Sequence, residues 1–225
     1  MFDLFVHIKK LLRQDSQPIR VVFPEGTSDL IQKVAVQLTA FNIEPLLVFA
    51  RRDQMPAQTL PPSVRVVVMT DYDTNALAKQ LFVLRQTKIT AVQAQTLISD
   101  PIYFAMMLLK THKADALVGG INYPTSAVIR PALQIIRAKP DHKLVSSVFL
   151  MIKGDQQFIF TDCALNINPT ATQLATIARL SYRAARLLQL KCPRIALLSY
   201  ATYRSGQGVM VDKVRTAVTT LRTQN

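Results

Sequence analysis

Cysteine, histidine and, over one long stretch, acidic residues are scarce in this chain. Two cysteines in 225 residues, Cys163 and Cys192, exclude a disulfide-dense secreted scaffold. Three scattered histidines, His7, His112 and His142, bring no zinc-ligand spacing with them, so no metal site is expected. They read as surface residues. No apolar stretch, including that around Phe104–Leu109, approaches the ~20 residues needed to span a bilayer. The N-terminus lacks the continuous hydrophobic segment of a signal peptide. It reads instead as an amphipathic helix with Phe2, Phe5, Ile8 and Leu12 on one face. A soluble cytoplasmic protein without a membrane partner is expected. No internal repeat or low-complexity segment is visible.

What is present is a globular composition with a strong basic excess. The chain is 49% hydrophobic and carries 27 Lys+Arg against 14 Asp+Glu, a net charge of +13, so it is not a disordered protein. The excess is uneven. Residues 1–110 hold 12 basic and 9 acidic side chains, and residues 111–225 hold 15 and 5. Between Asp162 and Asp212 there is no acid, while Arg179, Arg183, Arg186, Lys191, Arg194 and Arg204 fall there. Such a field favours an anionic partner. Charge alone does not make nucleic acid the expected one.

Along the chain, β-rich runs alternate with helical periodicity, which predicts an α/β fold. Ile19–Phe23, Pro45–Phe49, Val64–Met69 and Ala116–Val118 read as strands, the middle two apolar enough to be buried on both faces of a parallel sheet. Helices are expected over about Ser28–Phe41, Thr74–Thr87, Ala91–Ser99, Pro101–His112 and Ser126–Arg137. The character changes near Lys139–Lys143, which places domains at 1–142 and 143–225. Lys143–Met151 and Gln157–Thr161 then form a hairpin pattern. A helix to about Leu190 follows, opened by an Asn168 cap with Pro169 in the first turn or by a Thr170/Gln173 capping box. Arg194–Ser199 reads as a strand, and a last helix begins near Val209.

Four stretches invite chemistry, each with an ordinary structural reading beside it. In Gly119–Arg130 a strand meets a glycine pair, a polar loop and a helix. Amides at that helix start, with Thr125 and Ser126, suit an anion, and Arg130 suits a phosphate or carboxylate. A plain strand-to-helix turn explains the spacing as well. Ser199–Gly208 (SYATYRSGQG) resembles a phosphate-cradling loop in composition but lacks the Gly-Lys-Ser/Thr ending of a P-loop, and by itself it reads as a plain loop. Asp162-Cys163 has no histidine nearby to activate the thiol, so both residues read as structural. The last stretch is a helix with Leu174, Ile177, Ala178, Ser181, Ala185 and Leu188 on one face and Arg179, Arg183 and Arg186 on another. It reads as the solvated outer helix of an α/β domain.

Taken together, six segments resemble one family. They are VVFPEGT (Val21–Thr27), ISDPIYFAMMLLKTHKADALVGG (Ile98–Gly120), RPALQIIRAKP (Arg130–Pro140), LVSSVFLM (Leu144–Met151), TDCALNINPTATQLATIA (Thr161–Ala178) and ALLSYATYRSGQGVMVDKVR (Ala196–Arg215). In this order, over essentially the whole chain, they resemble phosphate acetyltransferase (phosphotransacetylase) and the related phosphate butyryltransferases.

The resemblance implies two α/β domains of the isocitrate/isopropylmalate dehydrogenase-like type, with the active site in the cleft between them. It implies interconversion of acetyl-CoA plus phosphate with acetyl phosphate plus CoA. No tightly bound cofactor is implied, CoA and acetyl-CoA serving as substrates. A homodimer, or association with another chain, is expected. Arg130 matches the family arginine that binds phosphate or acetyl phosphate, and Arg85 the one that serves substrate or CoA binding. Thr125 matches the threonine of a His-Ser/Thr-Thr-Ala-Asp string, and Ser199 and Thr202 match the cleft loop of the second domain.

Several positions depart from the family pattern. Tyr123, Pro124 and Ala127 leave that string without its His and Asp, and Leu30 stands at an arginine position. Ala201 replaces the second serine and Tyr203 the glycine of the Ser-x-Ser-Thr-Gly loop, and tyrosine tolerates positive φ poorly. Family members continue for about 100 residues, the size of a small domain, with an Asn-Asp-Leu-Ser-Arg-Gly string that supplies acid/base and charge-stabilising groups. Nothing here matches it. The second domain is therefore expected to be incomplete, the catalytic residues are unassigned, and activity is expected to be weak or absent. The competing expectation is a non-catalytic homologue that serves as a binding or regulatory module for anionic partners.

Overall fold

The computed structural model describes Val6, 17–57, 59–139, 144–202 and 205–223. Most of the expected N-terminal helix, including Phe2, Phe5, Ile8 and Leu12, lies outside these residues, as do His7, His142, Lys143, Tyr203 and Arg204. The chain divides into two compact units, one ending at Arg137 and the other running from Ala138.

The first unit is built on four parallel strands: β1 (Ile19–Phe23), β2 (Ile43–Phe49), β3 (Arg65–Val68) and β4 (Ala116–Leu117). Their order is β3-β2-β1-β4. Side chains alternate across each strand. Val22, Leu46, Val48 and Val67 therefore enter one buried cluster, and Val21, Phe23, Leu47 and Phe49 enter another. Both faces are covered, as a parallel sheet requires. Pro45 is tolerated because β3 begins pairing only at Leu46, so β2 is still an edge on that side.

Helix α1 (Asp29–Leu38) covers the second cluster through Ile31 and Ala35. The first cluster is covered by α2 (Thr74–Arg85), α3 (Ala91–Ile98) and α4 (Pro101–Lys110). Each of these three has a side-chain N-cap, from Asp73, Thr90 and Asp100 respectively. All residues from Ile102 to Leu108 are buried, so the most apolar stretch of the chain is the central helix of this unit. After β4 comes α5 (Thr125–Pro131), which runs into one π-type turn over Ala132–Ile136.

The second unit pairs β5 (Phe149–Lys153) with β6 (Gln156–Phe160) as an antiparallel ribbon. Lys153 faces Gln156, leaving a two-residue turn, and Gly154 at its first position has φ 58°. Such a turn favours glycine there. The ribbon is shorter than its sequence pattern indicates, because the pairing starts only at Phe149. Helix α6 (Ala171–Leu187) opens with the Thr170/Gln173 capping box rather than with an Asn168 cap. It buries Ala175, Ile177, Ala178, Ser181 and Ala185, and Arg179, Arg183 and Arg186 lie on its exposed side. Helix α7 (Val209–Thr223) packs against it and buries Val211 and Ala217.

The strand expected over Arg194–Ser199 is not formed. An extended segment becomes a strand only by pairing, and no strand pairs with it among the described residues.

Candidate functional site

The strand order reverses direction at β1. Successive crossovers lead from β1 to β2 to β3, and β4 then returns to the opposite side of β1. In open parallel sheets such a switch point leaves a crevice at the carboxyl ends of the two strands, where ligands bind. Here the loops beyond those ends are Pro24-Glu25-Gly26 and Val118-Gly119-Gly120.

Glu25 joins the two loops. It is only 5% exposed. Its carboxylate accepts from the backbone N–H groups of Gly120 at 2.6 Å, Ile121 at 3.1 Å and Asn122 at 2.5 Å. The approach is close on both sides. A Cβ on Gly26 would lie 2.4 Å from the Val48 carbonyl oxygen, and one on Gly119 would lie 2.9 Å from Pro24 Cγ. The amides of the glycine loop are not an open anion cradle, because Glu25 already fills them.

Downstream of that loop, Thr125 is exposed at the start of α5, which has no side-chain cap, and Arg130 is exposed in its last turn. Arg85 stands at the end of α2. Its Nε is buried and has no hydrogen-bond partner among the described residues. Between these elements lies Tyr103 of α4, buried and donating its hydroxyl to Gln134 Oε1 at 2.9 Å. Burial pushes the Tyr103 phenol up, while the fields of Arg130 and Arg85 pull it down and Asp100 adds to the rise. Both arginines therefore act on one buried hydroxyl, although 45 positions separate them in sequence. Tyr123 is likewise pushed up by burial and by the negative fields of Asp100 and Glu25.

The second unit holds the other expected site residues in exposed loops. Ser199 Oγ accepts from the Ala201 N–H at 3.3 Å. Thr202 Oγ1 lies 2.9 Å from Ser205 Oγ, and the Thr202 carbonyl accepts from the Ser205 N–H at 2.8 Å. Two hydroxyls of this loop thus close its own turn. Asp162 and Cys163 take structural roles, as the sequence suggested. Burial would raise the Asp162 pKa. Hydrogen bonds from the Ser147 hydroxyl, the Leu165 and Ala164 N–H groups and the Asn166 amide overturn that and hold its carboxyl well below the ordinary range. The Cys163 thiol donates to the Phe160 carbonyl at 3.1 Å.

Among the described residues, no group of three or more His, Cys, Asp or Glu is placed to hold a metal, and no helix is long and apolar enough to cross a membrane. Sequence reasoning missed Glu25, Tyr103 and Gln134. For Glu25 the only sequence signal was its place in the Pro-Glu-Gly turn, since its partners lie 95 to 97 positions away.

Residues 4–225 match the family described as Phosphate acetyl/butaryl transferase. Among curated relatives, a phosphate acetyltransferase of Mycoplasma capricolum is 38% identical over 219 residues, covering 96% of this chain and 68% of the relative. One of Helicobacter pylori is 38% identical over 207 residues, covering 89% of this chain and 40% of the relative. Among solved structures, a Streptococcus pyogenes phosphotransacetylase superposes with a TM-score of 0.85 at 30% identity, over all of this chain and 70% of its own. The EutD phosphotransacetylase of Staphylococcus aureus gives 0.80 at 30% identity, over 99% and 70%. This chain therefore spans about two thirds of the length of most of these relatives and well under half of the Helicobacter protein.

Proposed function

Because this chain belongs to the phosphate acetyl/butyryl transferase family, we propose that it binds phosphate or acetyl phosphate and CoA, and works in the reaction acetyl-CoA + phosphate ⇌ acetyl phosphate + CoA. In the direction of thioester formation, the CoA thiolate attacks the carbonyl carbon of acetyl phosphate, and the carbon–oxygen bond to phosphate breaks. Charge builds on the carbonyl oxygen and on the departing phosphate. Fixed cationic donors at those positions lower the barrier. No resident cofactor or metal is required by this chemistry.

The observation that carries the reading is Arg85 Nε, buried and lacking an acceptor among the described residues, with the fields of Arg85 and Arg130 both reaching the Tyr103 hydroxyl. An unsatisfied buried donor costs about 1–3 kcal/mol. An anionic oxygen is the natural acceptor for it. Arg130 and Arg85 are assigned to the phosphate-bearing substrate, with Thr125 as a hydroxyl donor at the head of α5. Ser199 and Thr202 are assigned to the substrate side of the second unit. The two units are taken as the two α/β domains of the family. We also take the chain to be cytoplasmic and to form a homodimer or to associate with another chain, as the family resemblance implies.

The test follows acetyl phosphate binding by calorimetry and thioester formation from acetyl phosphate and CoA. Thioester formation is measured with and without the remaining third of a longer relative supplied as a separate polypeptide. Binding by the chain, with Arg130→Ala weakening it by about tenfold to a hundredfold at unchanged thermal stability, supports the assignment. Unchanged binding removes Arg130 from the site. Absence of binding, and of turnover in every combination, defeats the reading in favour of a non-catalytic homologue.

A further inference from the structure

Arg137 ends the Arg-Pro-Ala-Leu-Gln-Ile-Ile-Arg string, and its backbone is unusual. It adopts φ 66° and ψ 168°, a combination that is essentially confined to glycine. Its N–H closes the π-type turn onto the Ala132 carbonyl at 3.1 Å. Its side chain reaches back across 53 positions, where Nη2 donates to the Leu84 carbonyl, and Nε lies 3.5 Å from the Gln134 carbonyl.

Leu84 is in the last turn of α2 and immediately precedes Arg85. Carbonyls there have no partner within the helix and carry the negative end of its dipole, so a guanidinium suits them. The C-cap residue Gln86 also has positive φ, 48°. This helix end is therefore irregular, and its direction depends on what holds it. A strained residue and a long-range clamp coincide at one position, which ties the end of the helix bearing Arg85 to the segment that follows Arg130.

We propose that Arg137 is a positioning residue that clamps the end of α2 to the segment carrying Arg130 and Gln134, and so sets how the Arg85 and Arg130 guanidinium groups face a shared anion. This rests on the anion-binding role proposed above for those two arginines. Arg137 touches no substrate in this scheme.

Glycine separates the two roles that position 137 can have. Arg137→Gly relieves the backbone and removes the clamp, whereas Arg137→Lys keeps a cation on a flexible stem. The full chain is compared in all three forms by thermal melting, acetyl phosphate calorimetry and hydrogen exchange at the end of α2. Expected for Arg137→Gly is a melting temperature equal to or above wild type. Exchange over Leu84–Lys88 is expected to be faster, and acetyl phosphate binding weaker by about tenfold, the scale of a small misplacement of a binding group. Arg137→Lys is expected to recover part of that loss. Wild-type exchange and binding in Arg137→Gly would overturn the proposal, as would a loss of affinity accompanied by an equivalent loss of stability. If the wild-type chain itself does not bind acetyl phosphate, the functional reading fails separately. The clamp is then judged on exchange alone, with unchanged rates refuting it.

Discussion

Glu25 shows how much of the first unit rests on one side chain. Three N–H groups converge on its carboxylate, and the glycines beside it leave no room for a Cβ. An amide in place of the carboxylate would turn an NH2 donor toward at least one of those N–H groups. Glu25→Gln is therefore expected to destabilise the chain by about 1–3 kcal/mol, read as a lowered urea midpoint, and to weaken acetyl phosphate binding through the loop that leads to α5. A midpoint and affinity equal to wild type would show that the loop holds its shape without the charge.

Strand β4 has only two residues, and a short element needs anchoring. Asp115, just before it, accepts from Arg20 of β1 through Nε at 2.9 Å, Nη2 at 2.7 Å and the backbone N–H at 2.9 Å. In return, the Asp115 N–H donates to the Arg20 carbonyl at 2.8 Å. These Arg20 hydrogen bonds lower the Asp115 carboxyl to about 2. A carboxyl depressed in the folded state stabilises above its unfolded pKa of roughly 4, and that contribution is lost as pH falls toward 2. The Asp162 carboxyl, held low by its own loop, acts in the same direction. Thermal melts between pH 5 and pH 2 should therefore fall more steeply for wild type than for Asp115→Asn. The pair is partly exposed, so the difference is expected to be no more than about 1 kcal/mol. Parallel slopes would mean that the ion pair adds nothing to the anchoring.

At the scale of the molecule, the two units differ in how well they cover their apolar residues. The first encloses a sheet on both faces. In the second, Phe149 pairs with Phe160 and Met151 with Phe158 across the ribbon, all four exposed on one face. Leu198 at 86% and Val209 at 83% exposure are further exposed apolar residues of this unit. A two-stranded ribbon is marginal by itself, and contiguous exposed apolar area promotes association. Sedimentation velocity is expected to show concentration-dependent association despite the net charge of +13. A monodisperse monomer across the concentration range would contradict this.

The sequence by itself determined the α/β class, the parallel strands, the three helices before β4 and the hairpin, and it offered the capping box at Thr170 as one of two starts for α6. These follow from local periodicity and capping, which act over a few residues. Motif strings also led to the proposal of Arg85 and Arg130 as site residues. Only the tertiary structure decided that Glu25 fills the glycine loop, that Tyr103 stands between the fields of both arginines, and that Arg137 reaches Leu84. Those partners lie tens of positions apart, and nothing in a local pattern encodes which distant backbone group a polar side chain will meet. The same reason explains Arg194–Ser199. Its composition suits a strand, but strand formation depends on a partner elsewhere in the chain, and none pairs with it among the described residues.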